Sequence, residues 1–576
     1  MKTHQIRIFF ISTLFLLLVL LLLPVQVSAA TGTYGYYTYS ISDGTVTITD
    51  VDDSISGDII IPSKIGGYPV VAIGNSVFKN QKAITSVVIP DSVKSIGSYA
   101  FSGCTGIVSV VIPNSVTTMS YRAFENCRSI ENVKIGSGLT EIAYASFENC
   151  SSLKTVELGV NVATIGTYAF NGCGVLKTVV WSEGLKDISH HAFYNCTSLK
   201  TLNIPDSVKN ISSYAFAGCS SLKNLNIPNG VKSLDNYAFS GCKSIISVVI
   251  PDSVTSMGYR AFENCKSIQT VKIGSGLKEI AYASFENCSS LRSVELGVNV
   301  ITIGTYAFNG CSMLKTIVWS NRLEVIDHHA FYNCKSIEIL NLPDSMKSIG
   351  ASAFSECKKI VSVVIPDNVT SIGSYAFSCC TGMESAKIGS GLTKIEYQSF
   401  YYCTSLTTIE LGVNITIIDS SAFEDCYSLK TIIWPTRLKN INSNAFSGCG
   451  SLKSLSIPDT VTSIGKCAFE NTGITYLSVG NDVANIGNMA FINCDRLVIV
   501  YLPKEINSVG SGAFCGCDEI TDVYYQGNER EWNDISFGSE NDKLTSAVMH
   551  YNSGKPKYNP FVDVTMIISV MQSFGL

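Results

Sequence analysis

Sixteen cysteines recur at one constant interval, from Cys104, Cys127 and Cys150 through to Cys449, without a slip. A strict period in the range of roughly 20–30 residues means a stack of small units, none of which can bury its apolar face alone. Counting in phase from Gln81 to Cys517 gives about twenty units; Thr472 takes the cysteine place in the eighteenth, which is shortened by a single position. The expected fold is a β-rich repeat solenoid, a right-handed curved rod with caps at both ends. Such a rod offers long surfaces rather than one enclosed pocket.

One unit, Leu153 to Cys173, shows how it works. Leu153, Val156 and Leu158 carry the L-x-x-L-x-L strand signature of leucine-rich repeats. Alternation turns Val156 inward and Thr155 and Glu157 outward. Gly159 ends the strand, a place that Pro113, Pro205, Pro251 and Pro366 take in other units, since either residue breaks a ladder. Val162 and Ile165 give a second inward pair, and Gly166 is read as a tight bend. Ala169, Phe170 and Cys173 close the unit. The spacing of Phe170 and Cys173 predicts one helical turn with both on the same side.

A longer period lies above the first. Tyr121–Cys173 matches Tyr259–Cys311 at 46 of 53 positions, six repeats later, and a third, more diverged copy follows five repeats after that. Gly136, Gly274 and Gly389 mark the copies, as do Trp181, Trp319 and Trp434. The array grew by block duplication.

The ends depart from the period. Residues 1–29 read as a secretory signal peptide: Lys2 and Arg7, an apolar run from Ile8 to Leu23, and small residues at Val27–Ala30. An uncleaved anchor is the alternative, but the run falls short of the ~20 residues that span a bilayer comfortably. No later segment could insert in a membrane. Residues 30–77 read as an N-terminal cap with partial repeats, 78–520 as the solenoid, and 521–553 as a C-terminal cap in which Trp532 can cover an exposed end. Residues 554–576 form a tail.

Cleavage takes the formal charge from −5 to −7, and charged residues are only 15% of the chain. With no basic stripe to neutralise phosphates, nucleic acid is excluded as a partner. The sequence leaves the oligomeric state open.

The run Ile89-Pro-Asp-Ser-Val-x-x-Ile-Gly-x-x-Ala-Phe-x-x-Cys104, the Gly67-Tyr68-Pro69-Val70 segment and the closing Tyr524–Tyr551 stretch together resemble the BspA-like leucine-rich repeat family of surface proteins. The resemblance covers roughly residues 34–553. It implies adhesion to host matrix proteins, host cells or other microbes, and it carries no catalytic residues or cofactor. Asn559–Val564 resembles the opening of a bacterial S-layer homology domain, which would make the tail a truncated wall anchor; a frayed end is the default.

Several features invite chemistry. Adjacent cysteines about one strand spacing apart have parallel Cβ vectors, which disfavours bridging. A buried ladder of free thiols is expected, with disulfides as the alternative. Cys379, Cys467 and Cys515 are out of phase and are expected to be exposed. His190-His191 and His328-His329 read as polar surface residues, and the three tryptophans as core plugs. No nucleophile–base set, phosphate loop or metal set is apparent, so neither an enzyme nor a metal protein is expected.

The concave strand face is the candidate binding surface. Its outward positions include Lys134, Glu157, Asn203, Asn226, Lys272, Glu295, Asn341, Lys387 and Glu410 in one repeating column. Near the C-terminal end Tyr476, Tyr501 and Tyr524 are expected to project from it and to suit protein or sugar contact. The expected function is a secreted or cell-surface multivalent adhesin for an extracellular protein or glycan. A passive structural spacer is the alternative.

Overall fold

The computed structural model describes residues 30–555, in two compact units: the first runs to Val162 and the second starts at Ala163. Each is built of β-solenoid turns of about 23 residues.

In the first unit, Ala30–Tyr34, Tyr37–Ser42 and Thr45–Val51 form an antiparallel meander. Thr45–Val51 then pairs in parallel with Tyr68–Ile73, which pairs with Ser95–Ile96 and, through it, with Thr118–Met119. Alternation in the meander buries Val46 and Ile48 against the first turns. Strands Ser109–Ile112, Asn132–Ile135 and Thr155–Glu157 build a separate ladder, one rung from each repeat.

The second unit repeats one three-sided turn. Its first side is a strand such as Ser247–Ile250, paired in parallel with Thr270–Ile273 and then with Ser293–Glu295. Val248, Val271 and Val294 point inward and are buried. The second side is a two-residue strand such as Glu279–Ile280, paired with Thr302–Ile303.

The third side is where the expected helical turn fails. The Ala-Phe-x-x-Cys segment is a run of tight turns with two left-handed residues in each copy. Arg260 (φ 57°) and Asn264 (φ 59°) are one such pair, and Tyr237 (φ 57°) and Gly241 (φ 72°) another. Alternating hand turns successive N–H groups toward the neighbouring copy instead of along a helix. Arg260, Phe262 and Asn264 donate to the carbonyls of Tyr282, Ser284 and Glu286 at 2.8–2.9 Å. All three sides are thus hydrogen-bonded between turns, which accounts for buried backbone that no helix or strand would satisfy.

Inside this side lies a stack of phenylalanines. Phe262, Phe285 and Phe308 are fully buried, with centroids 5.3–5.4 Å apart and planes within 4° of parallel, an offset arrangement that suits the ring quadrupoles. Each cysteine serves the stack: Cys265 Sγ–H donates to the Phe239 carbonyl at 3.1 Å and Cys288 Sγ–H to that of Phe262 at 3.3 Å. All 21 cysteines are free, so the ladder is one of thiols. Burial pushes Cys219 and Cys265 up to about 12, which keeps them protonated as donors. In the short repeat Thr472 does not reproduce this bond: its Oγ1 donates to the Phe469 carbonyl of its own turn at 3.0 Å, which Cys494 Sγ also reaches at 3.3 Å.

The out-of-phase cysteines divide. Cys467 is buried, contrary to expectation, with its backbone N–H donating to the Asn488 carbonyl of the next turn at 3.1 Å. Cys379 and Cys515 are half-exposed. Native-state alkylation with iodoacetamide should therefore label Cys379 and Cys515 first, and the ladder only after unfolding, as read by peptide mass spectrometry. Early labelling of Cys265 or Cys288 would contradict the buried ladder.

Gly166 and its equivalents have ordinary negative φ and are not there for conformational freedom. A Cβ on Gly304 would lie 2.9 Å from the Ile280 carbonyl oxygen and 3.2 Å from the Tyr282 nitrogen. The glycine allows two turns to touch.

At the C-terminal end the period gives way to a helix, Glu529–Asn533. Asn528 caps it, accepting from the N–H groups of Arg530 and Glu531 while Glu531 accepts from the Asn528 N–H. The helix carries Trp532 onto Tyr525 and Phe537, where it is buried. Residues 1–29 and 556–576, with the expected leader and the Asn559–Val564 resemblance, lie outside the described residues.

Candidate interaction surface

Two columns of side chains face outward from the long strands. Register sets Lys134 opposite Glu157 in the first unit, and Lys272 opposite Glu295 and Lys387 opposite Glu410 in the second. All three pairs close as ion pairs, at 2.9, 2.8 and 3.2 Å. They are solvated, so each contributes at most ~1 kcal/mol to stability.

Apolar side chains bracket the pairs. Val249 precedes Lys272 and Val318 follows Glu295; Val364 precedes Lys387 and Ile433 follows Glu410. Each of these four is exposed. The second unit therefore shows one motif twice: apolar, cation, anion, apolar, across four adjacent strands. In the first unit Val111, Lys134 and Glu157 begin the same motif. Asn203, Asn226 and Asn341 are exposed in the same column.

Trp181, Trp319 and Trp434 sit edge-on to Phe193, Phe331 and Phe446 at 5.5–5.7 Å. They are half-buried, so they are less completely enclosed than core plugs. In the second unit long-strand sheets end after Thr316–Val318 and Thr431–Ile433, next to Trp319 and Trp434, and another ends after Asn224–Leu225. Beside Trp319 lies an open cleft of about 390 Å³ lined by Lys315, Thr316, Glu338, Ile339 and Asn341.

Tyr476 and Tyr501 do not project. They are 4% and 1% exposed, whereas Tyr524 is half-buried and stacked on His550 at 4.3 Å. The chain folds back after its last strand: Asn552 N–H donates to the Gly527 carbonyl, Ser553 N–H to that of Tyr525, and Lys555 reaches Asp459 at 2.9 Å. The Lys555 ammonium lies 5.8 Å from the Tyr501 ring centroid. A contact between residues 96 apart has no signature in the repeat pattern.

On the opposite edge of the turns His191, expected to be a polar surface residue, is packed among rings, and arginines that the sequence did not mark do the same. His191 is stacked between Tyr168 and Tyr214 at 4.7 and 4.6 Å, with Tyr237 next at 4.5 Å. Burial, then the neighbouring His190 charge, holds His191 below the usual histidine range. Arg260 lies between the rings of Tyr237 and Tyr282 and pairs with Glu263, and Arg122 with Glu125 is its twin. These histidines and arginines lock neighbouring turns rather than standing free in solvent.

This architecture, with an outward strand ladder and a sealed core repeated turn after turn, defines a leucine-rich repeat solenoid, a fold that is typically a non-catalytic scaffold. The chain belongs to the BspA-type leucine-rich repeat family, whose model matches residues 71–200, 186–315, 235–360, 302–430 and 416–545. Proteins of this family are typically surface or secreted proteins engaged in protein interaction. Among solved structures, a leucine-rich repeat protein from Bacteroides ovatus is similar at 21% identity, over 88% of this chain and 98% of that one, with a TM-score of 0.46. A leucine-rich cell surface protein from Faecalibacterium prausnitzii is 22% identical over 88% and 98%, with a TM-score of 0.32. One from Eubacterium ventriosum is 21% identical over 77% and 96%, also at 0.32. No curated protein matches the chain significantly. Among the described residues no helix is long and apolar enough to cross a membrane.

Proposed function

We propose that the chain is exported and acts at the cell surface as a multivalent adhesin, contacting an extracellular protein or glycan on host matrix, host cells or other microbes through the outward face of its long strands. The observation that supports this most is the recurring motif of Val249, Lys272, Glu295 and Val318, repeated as Val364, Lys387, Glu410 and Ile433. Solvated ion pairs give up their partners cheaply, so a ligand's charges can replace them while exposed valines bury against it. Each site is weak. Repetition on one scaffold raises the avidity by ~10²–10⁴ when several sites engage together.

The test compares the full chain with one lacking residues 258–395, a whole block of six repeats, on immobilised matrix proteins, mucins and bacterial cells. Binding should be saturable for the full chain and fall more than about tenfold on deletion. Loss in proportion to the repeats removed would argue against multivalency. No binding by either folded protein would favour a structural spacer.

A further inference from the structure

The site at the C-terminal end of the strand face is built for a lysine. In two upstream copies a Pro-Asp pair follows the strand with its carboxylate held by a backbone N–H of the next turn. Asp252 Oδ1 accepts from Ser275 at 2.6 Å, and Asp367 Oδ1 from Ser390 at 2.7 Å. These two carboxylates have a cation on the adjacent strand, Lys272 for Asp252 and Lys387 for Asp367, whereas the strand next to Asp344 carries Val364 at that place. Asp459 is held in the same way, by the Asn481 N–H at 3.1 Å. The position on the adjacent strand, however, is Ser478, which pairs with Ser456 as Lys272 pairs with Val249. As beside Asp344, no positive charge stands at that place in the column. Lys555 supplies it instead, 2.9 Å from Asp459 Oδ1 and over the Tyr501 ring.

We propose that Asp459, Tyr476 and Tyr501 form a binding site for a lysine-bearing extended peptide segment, and that the chain's own Lys555 occupies this site in cis. The carboxylate fixes the ammonium, and the tyrosine rings take the aliphatic stem and the charge above them. The strand edges offer the backbone: Asn552 and Ser553 already donate to Gly527 and Tyr525. The cis contact is weak, since Lys555 and Asp459 are both solvated, and its advantage is tethering, an effective concentration on the order of millimolar. A partner presenting many lysines on a surface can exceed that and displace the strap. This assignment rests on the reading of the strand face as a binding surface.

The experiment uses the full chain and a fluorescent, end-blocked peptide of sequence Tyr-Asn-Ser-Gly-Lys-Pro, which copies residues 551–556. Lys555→Ala should bind the peptide at least about tenfold more tightly than the unaltered chain, because the competing cis ligand is gone. Adding Asp459→Asn to Lys555→Ala should abolish the gain. Hydroxyl-radical footprinting should show Tyr476 and Tyr501 protected in the unaltered chain and reactive in Lys555→Ala. Equal peptide binding by the two chains, or by neither, overturns the site. Unchanged protection of Tyr501 in Lys555→Ala overturns the strap. No adhesion surface enters this assay, so failure of the adhesin reading leaves its outcome interpretable.

Discussion

Phe285→Ala is expected to remove about 3–5 kcal/mol from the turn that carries it, the range for emptying an aromatic site in a packed core. Phe285 is wholly buried, with Phe262 on one side and Phe308 on the other at 5.3 and 5.4 Å. The loss is not spread evenly. In a stack where each turn touches only its neighbours, stability is a sum of turn and interface terms. One alanine weakens two interfaces at once and separates the turns on either side. Calorimetry should therefore show a single broad transition split into two, with far-ultraviolet circular dichroism unchanged at low temperature. Phe285→Leu keeps most of the volume and should cost less than half as much. A Phe285→Ala chain that melts in one transition at the original temperature would mean that the ring stack does not couple the turns.

The second large effect is expected at Arg260. Its guanidinium pairs with Glu263, which is only 9% exposed, and lies 3.7 Å from a Glu286 carboxylate oxygen. Arg260→Met leaves Glu263 charged, enclosed and unpaired, which costs about 3 kcal/mol. The asymmetry is the informative part. Replacing both members, as Arg260→Met with Glu263→Gln, should return most of that loss, since an enclosed pair is worth little more than a neutral contact of similar shape. Arg260→Lys should recover less than its charge suggests, because an ammonium lacks the flat surface that lies between Tyr237 and Tyr282. Urea titrations of the unaltered chain, Arg260→Met, Glu263→Gln and the double variant give the coupling energy directly; additive losses would refute the pairing.

Much of this fold can be read from the chain before any coordinates. Period and alternation place Val156 inside and Lys134 and Glu157 outside, and the structure has them there, with the ion pair closed. What escapes the pattern has a physical cause in each case. Ala-Phe-x-x-Cys resembles a helical turn by spacing, yet Arg260, Tyr237 and His191 take left-handed conformations that cost roughly 1–2 kcal/mol in isolation. Only the hydrogen bonds to the next turn make them stable, and no residue preference announces those. Tyr476 and Tyr501 look exposed by register and are buried, and over Tyr501 lies Lys555, a contact set by the path of the tail and not by the repeat. Arg260 and Glu263, three residues apart, could have been found as a charge pair; their place beside stacked tyrosines could not.

The free thiols have a consequence for heredity. Along the ladder a cysteine satisfies a backbone carbonyl from the preceding turns and is bonded to no other cysteine. No covalent bond records which turn lies next to which. A gene encoding near-identical blocks invites unequal crossing-over, and here a gain or loss of whole turns would strand no half of a disulfide. Length in this molecule is therefore a heritable variable, adjustable by whole turns without redesign of the core, and relatives of differing reach can arise in one recombination event.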